Sequence, residues 1–174
     1  INAYLLDEDP AVNGAALVGL ATEACDNPDM QAMFNLQERL QEKIEQSKKL
    51  NAPKDLEAFK IMIARTIGYG KLAAFYPILE DYMKDLSPAV VKQAILSAGS
   101  SQAPCFIKTL LSFLPNKSTR SAARKALARY EPAELLPILE DVSRAPDTKT
   151  DLLIQLPALA ETMETQQAVD YLFA

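Results

Sequence analysis

Ser87-Pro-Ala-Val-Val-Lys-Gln-Ala-Ile-Leu-Ser-Ala-Gly99 and Ser118-Thr-Arg-Ser-Ala-Ala-Arg-Lys-Ala-Leu-Ala-Arg-Tyr130 carry one pattern written twice. Val90, Val91, Ala94, Ile95 and Ala98 recur thirty-two residues later as Ala122, Ala123, Ala126, Leu127 and Tyr130. The spacing i, i+1, i+4, i+5, i+8 is one face of an α-helix, because residues four apart lie about one turn apart. Self-similarity at a fixed period near thirty residues predicts a stack of helix pairs. Each helix is apolar on one flank and cannot bury that flank alone, so neighbours must share a continuous core.

The same register extends in both directions. Upstream, Asp9-Pro-Ala-Val12 parallels Ser87-Pro-Ala-Val90, and Val12, Ala16, Leu17 and Leu20 follow at the repeat positions. Asp9 is a good N-cap and Pro10 suits the first helical position. Asp26-Asn-Pro28 breaks the chain. A long second helix is then expected over 28–50, with Met33, Leu36, Leu40 and Ile44 apolar and Glu38, Arg39, Glu42, Lys43 and Glu45 outward. Asp55 to Ile67 carries Phe59, Ile63, Ala64 and Ile67, and Gly68-Tyr-Gly70 is expected to stop that helix. Leu72 to Lys84 is its expected partner.

Downstream, Phe106, Ile107, Leu110, Leu111 and Leu114 form the partner of the Ser87 helix. Ser118 to Arg129 begins the fourth pair. Its partner, Ala133 to Ser143, contains Pro137-Ile-Leu-Glu-Asp141, a letter-for-letter copy of Pro77-Ile-Leu-Glu-Asp81. Proline in an opening turn is tolerated. The last pair has Leu152, Leu153, Leu156 and Ala160 in register, with a kink expected at Pro157, and its partner begins at 166. The expected fold is all-α, an α-α superhelix of about five antiparallel helix pairs, with 1–174 as a single domain.

Composition agrees. A length of 174 residues, with 49% hydrophobic and 24% charged, is enough to bury a core and argues against disorder. Aromatics are 7% and Trp is absent, so the core must be Leu, Ile and Ala, which suits close helix packing. The net charge of -5 argues against a nucleic-acid binder. Cys25 and Cys105 stand eighty residues apart without a CxxC pair and are expected as free buried thiols in a reducing compartment, the cytoplasm. No apolar run approaches the ~20 residues of a membrane span. The chain opens on Ile1 without Met and stops within an apolar pattern at Ala174, as expected of a piece of a larger protein.

With its pairs laid out, the sequence resembles the HEAT family of α-solenoid, armadillo-like repeats over nearly its whole length. The resemblance rests on the Asp/Ser-Pro-x-Val opening, the Ala-Leu/Ile pair of the first helix and the Pro-x-Leu of the second. More narrowly, Leu86 to Gly99, Thr119 to Tyr130 and Thr165-Gln-Gln-Ala-Val-Asp170 look like the soluble HEAT segment of large bacterial proteins with an ATP/ADP-translocase-like membrane region. That resemblance implies a non-catalytic scaffold or regulatory module. Its partner would be a protein or another domain of the same parent chain, met at the membrane only through that parent. It carries over no transport or nucleotide-binding residue. A free-standing cytosolic adaptor stays open, as does a HEAT-type enzyme, either a DNA glycosylase or a bilin lyase.

The chemistry-bearing residues are few. There is no His, which removes Ser-His-Asp and Cys-His nucleophile systems and imidazole metal sites, and no cofactor is expected. Asp7, Glu8 and Asp9 are adjacent and cannot face one another, so helix capping is their expected role. Gly68-Tyr-Gly70 lacks the third glycine of a phosphate loop. One polar feature stands out. Lys117, Arg120, Arg124, Lys125 and Arg129 fall within thirteen residues free of Asp and Glu. A helical wheel puts them opposite Ala122, Ala126 and Leu127. They are expected either as a solvated face, paired with Glu140 or Asp141, or as a site for an anionic partner.

Overall fold

The structure, a computed structural model, describes residues 2–5, 7, 9–163 and 171; these are helical or irregular, with no strand among them. The chain divides into two compact units, Ile1–Ser101 and Gln102–Ala174.

The first unit contains α1 (Asn2–Leu5), α2 (Pro10–Glu23), α3 (Pro28–Met33), α4 (Leu36–Ser47), α5 (Pro53–Tyr69), a 3₁₀ turn (Ala73–Phe75), α6 (Tyr76–Tyr82) and α7 (Pro88–Ser101). Its centre is α5, which meets α2, α4, α6 and α7. A Cβ built on Gly14 would meet Met62, and one on Gly70 would meet Ala21, so α2 and α5 run parallel. Glu57 reaches Ser87, Arg65 reaches Gln93 and Gly68 meets Ser97, so α5 and α7 also run parallel. Parallel neighbours need a return segment. The α3–α4 stretch supplies the first and α6 the second.

The repeat positions build this core. Leu17, Leu20, Ile63, Ala64, Ile67, Val90, Ala94, Ile95 and Ala98 are buried, as are Leu36, Leu40 and Ile44 of α4. Asp9 caps α2 as expected, its Oδ1 accepting the Ala11 N–H at 2.8 Å. Asn27 caps α3 through the Met30 N–H at 3.0 Å.

One sequence expectation needs correction here. The helix expected over 28–50 breaks between α3 and α4, where Asn35 takes φ +50°. Asn enters the left-handed region more readily than other side chains. The break turns Met33 out of the apolar stripe to 70% exposure. The stop expected at Gly68-Tyr-Gly70 is found there: α5 runs through Tyr69 and Gly70 is its C-cap. The left-handed residue is Lys71, at φ +50°. Leu72 N–H donates to Ile67 O at 3.1 Å and Lys71 N–H to Gly68 O at 3.4 Å, the paired bonds of a Schellman ending, with Leu72 buried beneath it.

That joint recurs. Thirty-one residues on, Gln102 takes φ +52° and a second 3₁₀ turn follows at Pro104–Phe106, as Ala73–Phe75 follows Lys71. Phe75 N–H donates to Leu72 O at 3.0 Å, and Phe106 N–H to Ala103 O at 3.1 Å.

The second unit contains that turn, α8 (Ile107–Ser112), α9 (Arg120–Leu127), α10 (Pro132–Arg144), α11 (Thr150–Leu153), α12 (Leu156–Ala160) and a 3₁₀ turn (Glu161–Met163). Ala122, Ala123, Ala126, Leu127 and Tyr130 are buried with Phe106, Ile107, Leu110, Leu135 and Leu139. The Tyr130 hydroxyl donates to Ala103 O at 2.9 Å, giving the buried phenol its partner.

The copied pentapeptides bury the same residue, Leu79 and Leu139, although Pro77 lies in the first turn of α6 and Pro137 inside α10. The opening-turn placement therefore holds for Pro77 alone. The expected kink at Pro157 is a full break one turn earlier, at Ile154 and Gln155, and Pro157 opens α12. The helix expected from 166 lies outside the described residues, apart from Tyr171.

Candidate interaction surfaces

Of the basic residues expected on one face, Arg120, Arg124 and Lys125 lie in α9, with Lys117 before it and Arg129 after it. Arg120 folds back on the preceding turn, its Nε donating to Leu114 O and its Nη2 to Pro115 O, both at 2.8 Å. Arg124 is half-buried, and its Nη2 donates to Gln155 Oε1 at 3.0 Å. Its Nε–H is buried without a hydrogen-bond partner among the described residues. Lys117, Lys125 and Arg129 are exposed. The wheel places residues 120 and 124 at the border of the stripe formed by Ala123 and Leu127, and long guanidinium side chains there reach local carbonyls instead of solvent. Glu140 pairs with Arg144 at 3.3 Å within α10. Arg120 and Arg124 are thus tied to the structure around them, and Lys117, Lys125 and Arg129 lie at the surface.

The remaining sequence candidates resolve as capping and joints. Asp7 Oδ1 accepts Asp9 N–H at 2.9 Å, extending the cap of α2; Glu8 lies outside the described residues. Cys25 is half-buried and Cys105 exposed, and neither is in a disulfide. Both were expected buried, but each sits beside a helix boundary, outside the apolar stripes. Burial and the neighbouring Asp26 carboxylate push the Cys25 thiol up, away from the reactive thiolate. Asp26 in turn pairs with Lys71 at 2.9 Å, which holds its carboxyl below the usual range. Among the described residues no three His, Cys, Asp or Glu side chains come together as a metal site, and no helix is long and apolar enough to cross a membrane.

A polar cluster that sequence reading missed lies between α5 and α7. Lys60 Nζ is ion-paired with the Asp85 carboxylate, and both are largely buried. Asp85 Oδ1 also accepts Ser87 N–H at 2.8 Å. Burial alone would push the Asp85 carboxyl up; the bonds from Lys60 and from the Ser87 and Leu86 amides outweigh it and hold the carboxyl below its ordinary value. The Ser87 hydroxyl donates to Glu57 while its oxygen receives the Val90 N–H at 3.4 Å. Burial, aided by Asp85 and Asp81, pushes the Tyr82 phenol up to about 12, so it stays neutral beside the Lys60 ammonium, 5.8 Å from its ring centre. The hydroxyl and both charges are engaged in capping α7 and tying it to α5, so this is a fastening of one helix to the next.

An opening of about 470 Å³ in the first unit is the valley between α2 and α5, lined by Ala11, Gly14, Ala15, Val18, Ala58, Ile61, Met62 and Arg65. On α5 these positions lie opposite Ile63 and Ile67. Among the described lining residues Arg65 alone carries a charge. Its Nε donates to Gln93 Oε1 at 3.1 Å, and Gln93 Nε2 donates to Ser97 Oγ at 3.2 Å. Gln93 and Ser97 are buried, so the guanidinium hangs from a fixed support.

No protein-family model, curated protein or solved structure matches the chain.

Proposed function

We propose that this chain is a non-catalytic interaction module of the HEAT kind, a solenoid of stacked helix pairs that serves as scaffold or regulatory spacer. We place it in a larger membrane protein of the nucleotide-transporter type. One observation carries the reading: a left-handed residue followed by a 3₁₀ turn recurs at Lys71 and Gln102, thirty-one residues apart. Repeats that end their first helix in the same way are the building blocks of helical rows, and such rows make extended binding surfaces. The parallel α2, α5 and α7 are such a row.

The test is a scan of benzoylphenylalanine across exposed positions of the chain, with cross-linked products identified by mass spectrometry in the cell of origin. One protein, or one segment of the parent chain, recovered from neighbouring positions is the expected result. Uptake of a bilin or of damaged duplex DNA by the purified chain, with no protein adduct from any position, overturns the proposal. The membrane context has its own test in the full reading frame, where a run of apolar spans is expected upstream.

A further inference from the structure

The first helix of the row has an unusual surface. From Pro10 to Thr22, α2 carries no Asp, Glu, Lys or Arg. A helix apolar all round is ordinarily buried. Here Ala11, Ala15 and Gly19 are exposed, and across the valley so is Ala58. The return helix α4 behaves as a solvated helix should, with Gln37, Glu38, Gln41, Glu42 and Glu45 exposed. The absence of charge over Pro10 to Thr22 therefore sets α2 apart from α4, α5 and α7.

Geometry defines what fits against α2 and α5. Both helices turn residues i, i+3, i+4 and i+7 into the valley: Ala11, Gly14, Ala15 and Val18 from α2, and Ala58, Ile61, Met62 and Arg65 from α5. Two parallel rods with matched ridges make a trough for a third rod, since the ridge of one helix seats in the groove between others. Eight lining residues span about 10 Å, or two turns. The single cation, held by Gln93 and Ser97, adds a charge requirement. A guanidinium whose Nε is already engaged keeps its Nη groups for a bidentate carboxylate.

We propose that the α2–α5 valley receives an amphipathic helix of a partner protein, its apolar stripe against Ala15 and Met62 and one Asp or Glu paired with Arg65. The proposal rests on the interaction-module reading and names its surface. A two-turn contact is small, so the affinity is in the micromolar range of transient interfaces.

The experiment uses a phage-displayed library of helical peptides selected against the full chain. Enriched peptides are expected to share apolar residues at i, i+3, i+4 and i+7 and one acidic residue near an end of that stripe. By fluorescence anisotropy, Arg65→Gln weakens them roughly tenfold or more. Replacing the peptide's acidic residue by its amide weakens binding equally, and the two changes together cost no more than either. Ala15→Glu, an exposed substitution whose folding is checked by circular dichroism, abolishes binding. Failure to enrich any peptide overturns the proposal, as does binding indifferent to both variants or selective binding of neutral phosphatidylcholine vesicles at the valley. Peptides or cross-linked partners that map to another face also overturn it while leaving the interaction-module reading standing.

Discussion

Gly68 is where the sequence and the packing can be set against each other most sharply. It lies inside α5, and an alanine in a helix is ordinarily better than a glycine by about 0.5–1 kcal/mol. Here a Cβ would stand 2.4 Å from the Ser97 carbonyl oxygen and 2.7 Å from Ser97 Cα. Carbon atoms in contact sit about 3.5–4.0 Å apart, so α5 and α7 would have to separate by about 1 Å. The obstructing atoms are backbone and cannot rotate away. The strain therefore falls near the top of the overpacking range, about 3 kcal/mol. Subtracting the helix gain leaves Gly68→Ala about 2 kcal/mol less stable, or about 4–8 °C lower in Tm for a chain of this size. Gly19 is the control. It is exposed in α2, and an added Cβ meets nothing within 4 Å. Gly19→Ala should gain about 0.5–1 kcal/mol. Urea unfolding followed by far-ultraviolet circular dichroism measures both. Equal stability of Gly68→Ala and the parent, or a loss in Gly19→Ala matching that in Gly68→Ala, refutes the close-approach argument.

Other expectations can be checked by the same assay. Asp85→Ala strands the Lys60 ammonium and the Ser87 amide and should cost about 1–3 kcal/mol at pH 7. Because the folded-state pKa of Asp85 is depressed, its contribution is full above the unfolded value near pH 4 and fades as pH falls through the folded one. The gap between parent and variant should therefore narrow only below about pH 4; a gap that narrows between pH 7 and 5 counts against the assignment. Ser87→Ala removes the cap of α7 and should cost about 1 kcal/mol. Lys71→Gly and Lys71→Ala lose the same side chain, but only glycine relieves the left-handed backbone. The glycine variant should be the more stable of the two by about 1 kcal/mol, and equal melting would sink the strain argument.

How much of this was legible follows from what each residue signals. The apolar register was legible because burial follows periodicity. Val90, Ala94, Ile95 and Ala98 are buried, and so are all five of their counterparts from Ala122 to Tyr130. The cap at Asp9 was legible because Asp before Pro has one structural use at a helix start. The break at Asn35 was hidden, since Met33 and Leu36 both fit one continuous stripe and no Gly or Pro marks the turn. The stop at Gly68-Tyr-Gly70 was legible, but the close approach of Gly68 to Ser97 was not, because glycine serves equally as a terminator and as a point of contact. The bonds of the basic set were not legible, because a wheel records direction but not reach: Arg120 finds the carbonyls of Leu114 and Pro115 within its length. The valley was half-legible. The missing charge in α2 is plain in the sequence, but its pairing with α5 and the Gln93 support for Arg65 belong to the tertiary arrangement.

The two seams of the first unit differ in compliance. Between α5 and α7 the backbones touch at Gly68 and Ser97, so that joint has no slack in which to slide. Between α2 and α5 there is an open trough bridged by the thioether arm of Met62, which can change rotamer without moving the main chain. A load applied across the row would be absorbed at the first seam while the second stayed rigid, and a guest lying in the trough would stiffen the softer joint like a splint.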